Sequence, residues 1–264
     1  MVPGLLAIDI GNTNIHLGLW QDDNWHLNWR ARTVQQKMPD EYAVLLGAFL
    51  RDSGLGWNSI NKVVLASVVP ALTGVFVELS RRYIQVEPLV VSAKINTGNK
   101  VDVDQPDQAG ADRIANAAAV NRLYGGPAIV IDFGTSTNFD VVSPEGNYIG
   151  GSIAPGIGIA LEALVGRTAQ LYKVALEPPP SPVGRNTAHA IQSGVFWGYV
   201  GLVEGLVTRI RSAMPGGADA KVIATGGLAP LMKDHTAVIQ QIAPFLTLDG
   251  LRIIHDLNSN NQQG

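Results

Sequence analysis

Three carboxylates stand at places where strands and helices could put them to use. Asp9 ends an apolar run, Leu5-Leu6-Ala7-Ile8, and leads into Gly11-Asn12-Thr13. A turn of this kind lets a phosphate approach a backbone free of Cβ while the acid holds a metal ion. Asp-x-Gly is also ordinary hairpin chemistry, so one copy decides nothing. Asp132 repeats the setting in Val130-Ile-Asp-Phe-Gly-Thr-Ser-Thr137, 123 residues on (132 − 9 = 123). The third acid, Asp112, lies in Gly110-Ala-Asp-Arg113 ahead of a run of small residues. As an ordinary helix start it reads as an N-cap. Arg113 in the first turn opposes the helix dipole, and such local conflicts mark functional sites. Separated carboxylates with glycine-rich turns at strand ends suit phosphoryl transfer, which needs positioned phosphates, a divalent ion and a base.

Other chemistries are excluded or unsupported. The chain has no cysteine, so disulfides, thiolate nucleophiles and Cys-ligated metals are out. There is no P-loop, no His-Arg-Asp loop and no G-x-S-x-G elbow. The five histidines, His16, His26, His189, His235 and His255, lack metal-ligand spacing and read as surface or strand filler. At 264 residues, 46% hydrophobic and 16% charged, the chain can bury one large or two moderate cores. A net charge of −3 without a basic run predicts no nucleic-acid partner. No apolar run of membrane-spanning length and no leader-like N-terminus are visible, which predicts no membrane and a cytoplasmic location.

The elements that must position these residues repeat. Residues 4–33 predict three antiparallel strands, 4–10, 15–20 and 25–33, with a turn at Asp22-Asp23-Asn24. A helix from Pro39 to about Leu50, a strand at 62–69, a helix from Pro70 to about Tyr83, a short strand at 87–91 and a loop at 92–109 follow. A helix then runs from 110 to Tyr124. The second half predicts strands at 128–133, 138–143 and 148–153, a glycine-rich corner at 150–156, and a helix over 157–164. After a stiff connector at 177–182 comes a long helix from Asn186-Thr187 to about Ala213, then a strand at 221–224 turned by Thr225-Gly226-Gly227 into a helix near Leu228. Gly194, Gly198, Gly201 and Gly205 share one face of the long helix and invite close helix packing. A repeat of nearly half the chain predicts two similar domains, residues 1–114 and 115–258. The tail from Asn258, with residues 259–264 outside both domains, reads as disordered.

Two three-stranded units, each carrying Asp-x-Gly, resemble the actin/hexokinase/Hsp70 (ASKHA) superfamily: α/β, with duplicated ribonuclease-H-like domains whose mixed sheets are flanked by helices. Within it the sequence is similar to the type III pantothenate kinases. The matching segments, in family order, are AIDIGNTN (7–14), GADR (110–113), IDFGTST (131–137), GGSIAPG (150–156), NTAHAIQSG (186–194) and ATGG (224–227). The resemblance implies transfer of the ATP γ-phosphate to the primary hydroxyl of pantothenate, the first step toward coenzyme A. It also implies Mg²⁺, a monovalent cation (K⁺ or NH₄⁺) and a homodimer. By position, Gly11, Asn12, Thr13 and Asn14 would cradle ATP phosphates with Asp9 near Mg²⁺, and Thr135, Gly226 and Gly227 would complete the nucleotide site. Asp112 would be the general base. Gly110, Ala111, Arg113 and Thr187 would join it in holding pantothenate, and Asp132 would bind the monovalent cation. One departure is Val103, where the family usually carries a Tyr that contacts pantothenate; weaker substrate binding is the expected result. Asn138 stands where another hydroxyl residue is common. A regulatory protein that kept the fold is the rival expectation, and the survival of all three carboxylates speaks against it.

Overall fold

The computed structural model describes residues 3–167 and 172–259. The chain divides into two compact units: residues up to Tyr124 together with those from Phe245 onward, and Gly125–Pro244.

In the first unit, β1 (Gly4–Ile10), β2 (Asn14–Gln21) and β3 (Asn24–Arg32) form an antiparallel meander. Helix α1 (Pro39–Asp52) leads to β4 (Ile60–Ser67), then α2 (Pro70–Leu79), β5 (Leu89–Val90) and α3 (Ala111–Leu123). The sheet order is β3-β2-β1-β4-β5, with β4 and β5 running parallel to β1. β1 reads as an unbroken apolar run because both its faces are covered, whereas edge strand β3 alternates exposed and half-buried residues. The meander and β4 appear where the sequence predicts them. Beyond α2 the chain continues as a π-helical turn, Ser80–Ile84.

The second unit repeats the order of strands, with two helices where the first has α1: β6 (Ala128–Phe133), β7 (Ser136–Val142), β8 (Tyr148–Pro155), α4 (Ile157–Gly166), α5 (Thr187–Ala213), β9 (Lys221–Gly226), α6 (Ala229–Lys233) and β10 (Gln241–Ile242). Its sheet, β8-β7-β6-β9-β10, has the first sheet's topology. α5 is long and apolar enough to cross a membrane by length and composition alone. However, Phe196, Tyr199, Val200, Val203 and Val207 are packed into the unit's core, and Glu204 and Arg209 lie on the same helix.

The last helix, α7 (Leu246–Ser259), has no counterpart in the sequence reading. Its Leu248, Leu251 and Ile254 are fully buried with Ile114, Ala115 and Ala118 of α3. Each such side chain contributes about 1.5–3 kcal/mol relative to exposure. Gly250 argues against a helix locally, yet here it permits contact: a Cβ would lie 1.9 Å from the Ala115 carbonyl oxygen. α7 follows β10 as α3 follows β5, so the two helices are counterparts in element order, and both pack in the first unit. Two expectations change accordingly. The 114/115 boundary falls inside α3, whose whole length belongs to the first unit together with α7. Asn258 and Ser259, expected in a disordered tail, end α7, with Asn258 Nδ2 donating to the Asn96 carbonyl at 2.7 Å. Residues 260–264 lie outside the described residues.

Candidate active site

In the first unit the expected residues gather at the carboxyl end of β1. Asp9 occupies its penultimate position, in register with Ala66 of β4 and His16 of β2. Gly11 opens the turn, its N–H donating to the Asn14 carbonyl at 3.0 Å, and Asn12, Thr13 and Asn14 are exposed. The N–H of Val68, just past β4, donates to the Ile10 carbonyl at 3.1 Å. Val68 in turn brings in the GADR segment, because a Cβ on Gly110 would sit 3.4 Å from Val68 Cγ1. The phosphate-type turn and the start of α3 therefore share one end of one sheet.

Asp112 is not the cap of α3. Gly110 holds that position, and Asp112 Oδ1 accepts from the Arg113 backbone N–H at 2.8 Å. Burial raises its carboxyl above the usual carboxylate range, against the lowering pull of that N–H and of the Arg113 charge. A carboxyl so raised is a stronger base when ionised, which is the property a general base needs. Ala111 is buried in the unit's core, so it can offer a ligand only its backbone. Val103, in place of the expected tyrosine, is half-buried and brings no hydroxyl.

In the second unit, Asp132 lies in register with Asn138 of β7 and Thr225 of β9. Residues directly opposite one another across a sheet share a face, so Thr225, Asp132 and Asn138 form an oxygen-bearing row. Ser136 Oγ adds a bond to Asn138 Oδ1 at 3.0 Å. The turn beside it, Gly134-Thr135, is exposed. Gly226 (φ +89°) sits so close to β6 that a Cβ would be 2.5 Å from the Phe133 carbonyl oxygen. Gly227, by contrast, faces open space. The glycine-rich segment 150–156 is mostly strand β8, and only Gly156 makes the corner. Thr187 is exposed at the first position of α5; the cap is Asn186, whose Oδ1 accepts from the His189 N–H at 2.8 Å.

Two residues near these sites escaped the sequence reading. His16, expected as filler, stands opposite Asp9 and in register with Arg30 of β3. Burial first, and then the Arg30 charge, lower its pKa to about 4, so it is neutral at physiological pH. Thr33, just beyond β3, touches the Gly11–Thr13 turn twice. Strand register is the signal for the first; a lone threonine offers none for the second.

Among the described residues no three His, Asp or Glu side chains cluster as a metal cage. A lone Asp9 still fits a hard divalent ion such as accompanies ATP, since that ion takes most of its ligands from phosphates and water.

The type III pantothenate kinase family model matches residues 5–209. A type III pantothenate kinase from Roseiflexus sp. (strain RS-1) is 50% identical over 254 residues, covering 96% of this chain and 99% of the relative. Among solved structures, a Campylobacter jejuni protein described as a Baf family transcriptional activator superposes with a TM-score of 0.60 at 18% identity, over 97% of this chain and 99% of that one. Component A of (R)-2-hydroxyglutaryl-CoA dehydratase from Acidaminococcus fermentans gives 0.56 at 12% identity, over 98% of each. At such identities the structures speak for the fold alone, which is the duplicated ASKHA type. The matches in sequence carry more, and by them the chain belongs to the type III pantothenate kinase family.

Proposed function

We propose that the chain phosphorylates the primary hydroxyl of pantothenate with ATP, and that Asp112 is the base. The reading is carried by one observation: a carboxyl raised by burial stands at the start of α3, at the same sheet end as the Gly11–Thr13 turn. The hydroxyl oxygen forms its bond to the γ-phosphorus as the bond to the β–γ bridging oxygen breaks. ADP leaves, 4'-phosphopantothenate forms, and the hydroxyl proton passes to Asp112. Gly11, Asn12, Thr13 and Asn14 hold phosphates, with Thr135, Gly226 and Gly227 completing the nucleotide site. Asp9 holds the divalent ion, Mg²⁺ on this reading, which neutralises phosphate charge when bound. Gly110, Ala111 and Arg113 hold pantothenate. Asp132, in its row of oxygens, binds K⁺ or NH₄⁺. A coupled assay with ATP tests the whole: pantothenate should support ADP release, and its failure beside other small hydroxy acids that succeed would redirect the assignment.

The proposal includes a homodimer in the cytoplasm, without membrane or nucleic acid. A Cβ on Gly194, Gly198 or Gly201 would meet nothing within 4 Å, so packing inside the chain does not call for these glycines. An apolar groove of about 360 Å³ beside them is lined by Leu164, Ile191, Val195 and Leu202. A second copy seated there would bring its own Thr187 toward Asp112, in the two-fold arrangement most soluble oligomers adopt. Thr187 is not the helix cap, so Thr187→Ala should leave stability nearly unchanged. Refolding an Asp112→Asn chain with a Thr187→Ala chain should restore roughly a quarter of the sites, by random pairing in a two-fold dimer. A mixture no more active than the mean of its parents would show that each site is built from one chain.

A further inference from the structure

Thr33 is the first residue after β3, and it holds the Gly11–Thr13 turn from behind. Its Oγ1 donates to the Gly11 carbonyl at 2.6 Å, and its backbone N–H donates to the Thr13 carbonyl at 2.9 Å. One residue thus takes up two of the turn's carbonyls on the β3 side. Carbonyls drawn that way cannot face an anion, and what the turn offers a phosphate is set by which polar groups remain directed outward. The anchor is itself anchored. Val34 exchanges two bonds with the phenol of Tyr42, its N–H donating to the oxygen and its carbonyl accepting from it, both at 3.0 Å. Tyr42 is buried in α1, against Phe76.

The second unit supplies a control. Gly156 lies 123 residues after Thr33 (156 − 33 = 123), just past β8 as Thr33 is just past β3. Its N–H donates at 3.1 Å to the carbonyl of Thr135, the residue just before β7 as Thr13 is just before β2, so the backbone bond is equivalent. The hydroxyl bond is absent there, and a Cβ would lie 2.3 Å from the Thr135 oxygen and 2.8 Å from the Gly134 oxygen. The backbone bond comes with the repeated architecture. The side-chain bond belongs only to the turn next to the catalytic carboxylate.

We propose that Thr33 is a positioning residue for nucleotide binding: its hydroxyl fixes the phosphate-holding turn through the Gly11 carbonyl. This rests on the reading of Gly11–Thr13 as the phosphate site. Three variants separate the two ideas, each measured for the dissociation constant of a non-hydrolysable ATP analogue with Mg²⁺, for the KM of pantothenate, and for urea stability. Thr33→Val keeps the shape and loses the hydroxyl. It should weaken the analogue about tenfold, the worth of one well-placed hydrogen bond, while the KM of pantothenate moves less than about twofold. Thr33→Ser keeps the hydroxyl and should bind as wild type. Thr13→Ala probes the phosphate site itself and should also weaken the analogue. If Thr13→Ala weakens binding and Thr33→Val does not, the positioning role is overturned. An unchanged constant in Thr13→Ala means the turn is not the phosphate site. Equal weakening by Thr33→Ser and Thr33→Val, in step with lost stability, makes Thr33 merely structural. Should Thr33→Val not fold, the serine variant decides alone, with wild-type affinity at lowered stability as the expected result and weakened affinity as the contrary one.

Discussion

The two units share a sheet topology and differ most tellingly in one row of side chains. Each has the same sheet order, the same Asp at the end of its first strand, and the same bond from the residue after its third strand back to the turn. Across the sheet, however, the first unit places Ala66, Asp9, His16 and Arg30 side by side, and the second places Thr225, Asp132, Asn138 and Ile153. One acid therefore has nitrogen-bearing neighbours toward the sheet edge, while the other sits between a hydroxyl and an amide. The turns differ as well: Gly11 bonds to the carbonyl three residues on, Gly134 to the one two residues on. The repeated fold keeps the sheet frame in both units, and on the function proposed above a few outward positions direct one copy toward phosphates and the other toward a monovalent cation. That division is the proposal, and it can be broken.

The largest effect should come from the helices that follow the two sheets. α3 carries Asp112 and its counterpart α7 carries Asp249, and burial raises both carboxyls. Asp249 Oδ1 accepts from the Trp25 indole N–H at 2.8 Å, which gives it a structural task. Asp112→Asn should lower kcat by roughly 10²–10⁴, the usual worth of a general base, with nucleotide affinity kept. Its effect on stability should have the opposite sign. A carboxyl whose folded pKa is raised contributes stability below its unfolded pKa and loses it as pH rises through the folded value. Above its folded pKa the ionised Asp112 is therefore a cost, and there the asparagine variant should melt no lower than wild type. The acid limb of the wild-type pH–rate profile should lie above the ordinary carboxylate value of about 4. Asp249→Ala should do the reverse, keeping kcat and losing about 1–3 kcal/mol in urea unfolding through the orphaned indole. Near-full kcat in Asp112→Asn would remove it as the base.

A smaller effect should separate the two rows. Asp132→Asn keeps the shape and removes the charge that a bound cation would meet. Charged hydrogen-bonding groups are worth about 1.5–3 kcal/mol, so the half-activating potassium concentration should rise roughly tenfold or more. Wild type should respond to potassium or ammonium and not to sodium. Equal activity in all three salts would strip the second row of its role and leave the two units without a division of labour.

Much of this was legible in the sequence because the informative residues are close together along the chain. The 123-residue repeat, the three-stranded openings and the Asp-x-Gly turns are local patterns, and the structure places them as read. α7 was hidden by Gly250, whose low helix propensity is outweighed by a contact with Ala115 that only the folded chain reveals. The domain boundary failed with it, since nothing local says that a final helix returns to the first unit. Asp112 reads as a cap because Asp favours that role, while the true cap is Gly110, two residues earlier. Thr33 and His16 matter through partners 22 and 7 residues away, which strand pairing supplies and composition does not.

The smallest expected effect concerns the glycines that give the two turns their likeness. Neither Gly11 nor Gly134 has a positive φ, so alanine is conformationally allowed at both. A Cβ on Gly134 would be 3.5 Å from the Ser136 oxygen, an ordinary contact; one on Gly11 would be 3.0 Å from the Asn14 oxygen, which would have to give way by a few tenths of an ångström. Replacing glycine at a compatible site also removes freedom from the unfolded chain, worth about 0.4–1 kcal/mol in favour of folding. Gly134→Ala should therefore be neutral or slightly stabilising, and Gly11→Ala should cost less than about 1 kcal/mol. If the first turn is where phosphates press closest on the backbone, the added methyl should matter there for a different reason, by occupying the ligand's space. A several-fold loss of ATP-analogue affinity in Gly11→Ala, against twofold or less in Gly134→Ala, would place the closer phosphate approach in the first unit. Equal losses would mean that both turns hold phosphates alike, and the difference between the units would shrink to the side chains of one row.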